Sequence, residues 1–238
     1  TDTTKTGYTS AQPLTTTSNT QWRIFSIDET TGEVLITTQG ATNTDTKVYL
    51  EGATGYLHGV EELNRICKEL YSSGTLTARS MTIEDINKAV GGYDPTTDSG
   101  YGTEYEYTSG TFYTYQENGN TVTSETPKAA SSSNKVKVKY TYYNNNPGIK
   151  NATVGNILGS SEGWLASPCV GAHPGAAYFL VRYANSSNVY GYHLYISGGN
   201  ANSNAYGLRP LVSLSSKLID IAEEGKDGTT VDKAWSLK

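Results

Sequence analysis

The chain has 238 residues, enough for one large domain or two small ones with a real core in either case. Its 18 Lys and Arg stand against 23 Asp and Glu, a net of −5 with no basic stripe, which argues against nucleic acid as a partner. The longest apolar run, Ala176–Val181, falls far short of the ~20 residues that span a bilayer, and no signal peptide is present. A start at Thr1 is what a processed or trimmed ectodomain would show. The 19 Tyr against 3 Phe, together with abundant Thr, Ser, Asn and Gly, suit a microbial extracellular protein with a versatile contact surface.

Residues 1–20 are Thr- and Ser-rich without periodicity and read as a flexible lead-in to a single domain over 21–238. Trp22–Ile27 and Glu33–Thr38 alternate around the turn at Asp28–Gly32, a β-hairpin signal. Tyr56–Tyr71 carries Val60, Leu63, Ile66, Cys67 and Leu70 at helical spacing, with Glu61 and Arg65 as an outer i,i+4 pair and Gly74 beyond its end. A second helix over Thr82–Val90 opens on a capping box between Thr82 and Asp85, buries Ile83, Ile86 and Val90, and stops at Gly91 and Gly92. Both helices are expected to cover one sheet face that includes Leu208–Leu214.

From about 94 to 146 the chain turns Tyr-rich with few aliphatics. It reads as an inserted β-hairpin excursion that projects from the body, with a turn at Glu117–Asn120 and a strand over Lys135–Tyr140. Short strands follow at Gly163–Pro168, Ala176–Val181, Val189–Ile196 and Leu208–Leu214, and Trp235 in the charged tail is expected to pack back on the body. Two early helices and many late strands make an α+β pattern. Cys67 and Cys169 allow either one disulfide or two buried thiols.

Catalytic motifs are missing. His58, His173 and His193 show no metal spacing, and no nucleophile elbow, phosphate loop, dinucleotide loop or CxxC occurs. The pairs Glu61–Glu62 and Glu84–Asp85 fall on helix positions expected to be solvated, and a Cys169–His173 pair has no orienting carboxylate. The expectation is a protein that is not an enzyme, with neither catalytic residues, metal nor cofactor.

The segment 178–206 stands apart. Six Tyr, five Asn and four Ser occupy 15 of its 29 positions, with Arg182 its one formal charge; this is the residue set of adaptable binding surfaces. The alternative is a polar, loop-rich sheet edge. Eight of these residues, Tyr183, Asn188, Tyr190, Tyr192, Tyr195, Asn202, Asn204 and Tyr206, are expected on one solvent-facing patch, with Trp164 buried beneath the loops.

Trp22–Ile27, Val48–Cys67 and Ala78–Ile86 resemble a family of clostridial surface proteins that often begin with a prepilin-type leader and membrane helix. Gly163–Pro168 and Gly207–Val212 resemble their C-type-lectin-like, formylglycine-generating-enzyme-like domain. The resemblance covers residues 20–92 and 160–238 and implies a C-type-lectin-like α+β fold. Some proteins of this fold are variable proteins of diversity-generating retroelements, in which adenine-rich codons yield Asn, Ser, Tyr and His. Segment 178–206 is similar to such a cassette, closed by Gly207–Pro210. On that likeness the contact positions would be Tyr183, Asn185, Ser187, Asn188, Tyr190, Tyr192, His193, Tyr195, Asn200, Asn202, Asn204 and Tyr206. The sugar-binding Glu-Pro-Asn and Trp-Asn-Asp motifs are missing, as is the cysteine pair of the formylglycine-generating oxidases. The resemblance implies a surface-displayed domain for a protein or glycan ligand, held at the cell surface by a segment outside this chain. A pilin-like filament subunit that self-assembles through an N-terminal helix, or a phage tail-tip adhesin, are the alternatives.

Overall fold

The computed structural model describes residues 1–16, 21–42, 47–90, 104–113, 115–118, 121–124, 127–139, 149, 152–172, 176–197, 199–220, 225 and 236–237. It is a mixed α+β fold in which helices pack against several small antiparallel sheets. The start of the chain is more firmly held than its composition suggests. Helix α1 (Thr3–Thr6) is capped by the Asp2 carboxylate. The Thr1 ammonium donates to the Gln12 carbonyl at 2.8 Å, the Asp2 amide donates to Glu62 Oε1 at 2.7 Å, and Lys5 pairs with Glu61 at 2.9 Å.

Strands β1 (Trp22–Asp28) and β2 (Glu33–Thr38) form the expected hairpin, with a bulge at Phe25. The chain then runs through β3 (Val48–Glu51) into helix α2 (Gly52–Tyr71), which starts one turn before the predicted boundary. Two expectations about its charged face are corrected. Arg65 pairs with Glu62 and Glu69 rather than with Glu61. Glu62 is not solvated but 1% exposed. Burial opposes its charge, yet hydrogen bonds from Arg65 and the Asp2 amide hold its carboxyl below the ordinary range. After β4 (Ala78–Ser80), helix α3 (Ile83–Ala89) opens on the predicted Thr82–Asp85 capping box. Arg79 clamps the same Asp85 at 2.6 and 2.7 Å. Gly91 and Gly92 lie outside the described residues.

Within the excursion, strands β5 (Glu104–Tyr107), β6 (Gly110–Phe112) and β7 (Tyr115–Asn118) pair in reverse order with β10 (Val136–Lys139), β9 (Lys128–Ala130) and β8 (Thr121–Ser124), as the arms of a hairpin do; Gly119 and Asn120 of the expected turn lie outside the described residues. The excursion does not simply project. Val122 enters the buried cluster that α2 builds, and Tyr113 packs against that cluster. A helix missing from the sequence reading, α4 (Ala152–Leu158), follows and buries Val154, Ile157 and Leu158.

The remaining chain forms β11 (Gly163–Ala172), β12 (Ala177–Ala184), β13 (Val189–Ile196), β14 (Asn200–Ala201), β15 (Ser203–Tyr206) and β16 (Pro210–Ser215). Two four-stranded sheets result, ordered β1-β2-β16-β4 and β11-β12-β13-β14, while β15 pairs with β3. The helices do not share one sheet face, contrary to the expectation. Ile83 and Ile86 of α3 pack on Phe25, Leu35 and Leu211 of the first sheet. Tyr56, Leu63, Ile66 and Cys67 of α2 pack on Phe179, Val181 and Leu194 of the second. Both clusters mix early and late residues, so the two halves of the chain share their cores. Cys67 and Cys169 are free buried thiols, and burial pushes Cys67 up to about 12. Past β16, Ile219–Asp220 pairs with Ser236–Leu237; Trp235 lies outside the described residues.

Candidate functional site

The site grows from one face of the second sheet. In register, Trp164 of β11 lies opposite Tyr183 of β12, which lies opposite Tyr190 of β13. Directly paired residues share a face, so the three rings line up across the strands. Tyr183 and Tyr190 stack with centroids 5.1 Å apart and planes 20° apart. The Trp164 ring meets Tyr183 edge-on at 6.3 Å and Tyr192, two residues along β13, at 6.5 Å. Trp164 is fully buried, and its indole Nε1 donates to the Val48 carbonyl at 2.7 Å. That bond satisfies the one polar atom of the ring and pins β11 to β3.

A second element completes the cluster. The β15–β3 register sets Tyr206 opposite Val48 and Asn204 opposite Leu50, whose side chains are fully buried. Tyr206 and Asn204 therefore face inward, while Ser203 and Ala205 face away. Tyr206 stacks on Tyr183 at 4.2 Å and meets Trp164 edge-on at 4.6 Å. Asn204 donates its amide to the Tyr206 hydroxyl at 2.7 Å, Asn188 donates to the Tyr190 hydroxyl at 2.9 Å, and the Tyr192 hydroxyl donates to the Ser203 carbonyl at 3.1 Å. Burial, together with the Tyr183 hydroxyl and the Glu162 charge, pushes the Tyr206 phenol well above its ordinary value. Tyr206, expected on the solvent side, is thus 6% exposed and part of the support. Tyr183, Tyr190 and Tyr192 are half-buried and form the accessible part of the cluster.

The other predicted positions do not join this patch. Asn185 is a turn residue: its Oδ1 accepts from the Ser187 and Asn188 amides at 2.9 and 3.0 Å, which closes the β12–β13 turn and leaves Ser187 exposed at its tip. His193 points to the opposite sheet face, stacked on Tyr178 at 4.7 Å, and burial lowers its pKa. Asn202 braces the β14–β15 link by donating its side-chain amide to the His193 carbonyl at 3.0 Å. A bulge at Leu194 returns Tyr195 to the face of Tyr192 farther along β13: Tyr195 lies opposite Phe179, as Tyr192 lies opposite Val181, and packs against Phe179 at 5.9 Å, while Asn200 is exposed in β14 beyond it. His173 lies outside the described residues.

Two residues that sequence reasoning passed over build the base. Arg209 is fully buried and donates to the carbonyls of Leu158, Ser161 and Ala184 at 2.7 to 2.9 Å, so α4, the loop to β11 and the end of β12 meet at one guanidinium. Burial pulls its pKa down to about 9, which leaves it cationic at neutral pH. Gly163 makes room for it: a Cβ there would lie 2.7 Å from Arg209 Cγ. Glu162, exposed one residue earlier, accepts the Gly207 amide on its backbone carbonyl at 3.2 Å, and so sits beside Tyr206. The signal for Arg209 was its place after Gly207-Leu208 in an apolar strand, where a charge must be partnered.

The cluster offers ring faces and edges, phenol hydroxyls and side-chain amides on a braced sheet. Among the described residues no group of three or more His, Cys, Asp and Glu comes together as a metal site. No helix among them is long and apolar enough to cross a membrane. No protein-family model, no curated protein and no solved structure matches the chain.

Proposed function

We propose that the chain is a ligand-binding domain of C-type-lectin-like architecture, displayed at a cell surface, whose contact face is the half-buried cluster of Tyr183, Tyr190 and Tyr192. One observation carries the reading. Three partly exposed tyrosines share a sheet face: Tyr183 and Tyr190 stack, Tyr192 meets Trp164 edge-on, and the Tyr190 hydroxyl is held by Asn188 and the Tyr192 hydroxyl by the Ser203 carbonyl. Ordering these rings beforehand lowers the entropic cost of association, as in paratopes built from rigid aromatics. The architecture is supported by the first hairpin pairing with late strand β16, and by two helices on small antiparallel sheets. Diversification over 178–206 would act on the exposed positions and spare the ring pair formed by Trp164 and Tyr206.

The test is selection of a displayed random-peptide library and a glycan array against the wild-type chain and Tyr190→Ala/Tyr192→Ala. Binders that the double variant loses are expected, with a melting point lowered by about 4–8 °C, since each half-buried ring accounts for ~1 kcal/mol in a chain this long. Binders held equally by both proteins, or a double variant that does not fold, would overturn the reading.

A further inference from the structure

The first sheet ends on an open strand. In the order β1-β2-β16-β4, β1 pairs with β2, and among the described residues no strand bonds to its outer side. The opposite edge is closed by α2: the Ala78 amide donates to Ser72 Oγ and the Ser80 amide to Asn64 Oδ1, both at 2.9 Å. On the second sheet β14 has two residues, and β11 gives its Trp164 and Ala166 amides to the Gly207 and Met81 carbonyls. A seven-residue edge left without a partner strand is a template for another.

The bulge at Phe25 sorts the side chains of this edge. Phe25 turns into the cluster that α3 and α4 build, and Arg23, Ser26 and Asp28 share that face, since they lie opposite Thr37, Leu35 and Glu33. Ile24 and Ile27, opposite Ile36 and Val34, both lie on the other face. There Ile27 is 55% exposed, the only large apolar side chain left exposed among the described residues. Ile24 and Ile36 beside it are half-buried and belong to neither buried cluster. The order of faces is therefore symmetric about the Phe25–Ser26 peptide. When a second β1 is laid antiparallel against the first, directly opposed residues must share a face. Of the registers that overlap more than half of the strand, one satisfies this at every pair: Arg23 opposite Asp28, Ile24 opposite Ile27 and Phe25 opposite Ser26. It sets opposite charges together and isoleucine against isoleucine, the self-complementarity that a two-fold interface requires.

From this arrangement we infer that β1 is a self-association edge. Two copies of the chain pair antiparallel through it and join their first sheets about a two-fold axis at the Phe25–Ser26 peptide, with Ile24 of one copy against Ile27 of the other. Asp28 also holds Lys88 at 3.1 Å and the Thr30 and Thr31 amides, and Arg23 holds the Gln21 and Gln39 side chains, so the charge pair selects the register more than it adds strength. The tyrosine cluster lies on the second sheet and shares no residue with this edge, so a pair carries two such clusters, an advantage on a ligand that repeats.

The test is sedimentation equilibrium of the whole chain between about 5 and 500 µM, with amide exchange followed on the same samples. The mass is expected to rise from 25.6 kDa toward twice that value, and exchange at residues 22–28 to slow as it does. Ile27→Lys sets an ammonium against Ile24 of the other copy and should weaken association at least about tenfold, while Ile27→Val keeps it. Ile27 is exposed, so at the lowest concentration both variants should melt as the wild type does. A wild type that stays at 25.6 kDa throughout, an Ile27→Lys variant that associates as tightly as the wild type, or a dimer whose 22–28 amides exchange at the monomer's rate would each overturn the assignment. Peptides from the selection above that bind a monomeric wild type and are lost in Ile27→Lys would give the edge to another protein and overturn it as well.

Discussion

Tyr206 shows how one residue type takes opposite roles within a few positions. It closes a polar stretch that holds Asn202, Ser203 and Asn204, yet it is core because its strand partner is Val48 and its ring neighbours are Trp164 and Tyr183. Tyr206→Ala is expected to cost about 3–5 kcal/mol, as other buried aromatic truncations do. Tyr206→Phe keeps the rings and leaves the Asn204 amide without its acceptor, a loss of about 1 kcal/mol. Because the phenol is raised in the fold, its contribution is complete below the ordinary tyrosine value of about 10 and is lost as pH rises above it, where the unfolded chain ionises first. Denaturant midpoints from pH 8 to 12 will therefore fall steeply above about pH 10 in the wild type and less steeply in Tyr206→Phe. Equal slopes would show that this phenol does not couple to folding.

At the scale of elements, the face depends on where β15 is laid down. Only the β3 register turns Tyr206 and Asn204 inward, and a slip of one residue would exchange them for Ala205 and Ser203. Gly207 sets that register. It bridges to Gly163, its amide reaches the Glu162 carbonyl, and a Cβ there would collide with the Thr42 carbonyl. Backbone cannot yield as a flexible side chain can, so Gly207→Ala is expected to destabilise by about 1–3 kcal/mol. It should also disturb the near-ultraviolet circular dichroism of the Trp164–Tyr206 pair. A variant with wild-type stability and an unchanged aromatic signal would refute this account of the close approach.

In the whole molecule, sequence-distant segments converge under the face, and Arg209 is where they meet. Its three acceptors come from the end of α4, the loop before β11 and the end of β12, one residue past Tyr183. Arg209→Met keeps apolar bulk and deletes every donor, so several buried carbonyls lose their partners together. A loss on the order of 3 kcal/mol or more follows, read by denaturant unfolding, with faster amide exchange around 158–163 and 184. Arg209→Lys, with a single ammonium in place of the fork, should recover only part of it. A full recovery by lysine would mean that charge alone, and not the three-way geometry, holds the base.

Local rules were enough for much of this. Alternation and turn residues defined the β1–β2 hairpin and the strand over Val189–Ile196; the apolar stripe defined α2; and the Thr82–Asp85 box defined the start of α3. Each is decided by neighbours a few residues away. Composition also marked 178–206 as unusual, but it could not sort the twelve candidate positions into contact, turn and core, because burial is set by partners far along the chain. Asn185 became a turn acceptor, His193 went to the opposite sheet face, and Tyr206 went beneath the cluster. The burial of Glu62 and the stapling by Arg209 escaped for the same reason, since the Asp2 amide on Glu62 comes from 60 residues away and the acceptors of Arg209 from 25 to 51. Helix α4 escaped because its seven residues are too short for a periodic stripe; it is held by packing, with Gly155 tight against the Ser186 carbonyl of the β12–β13 turn. The sequence alone thus determined the elements that carry their own periodicity, turn or cap, and which segment is rich in contact residues. Only the tertiary structure decided which side chains share a face, because strand register and long-range hydrogen bonds, not local preference, set the direction in which each one points.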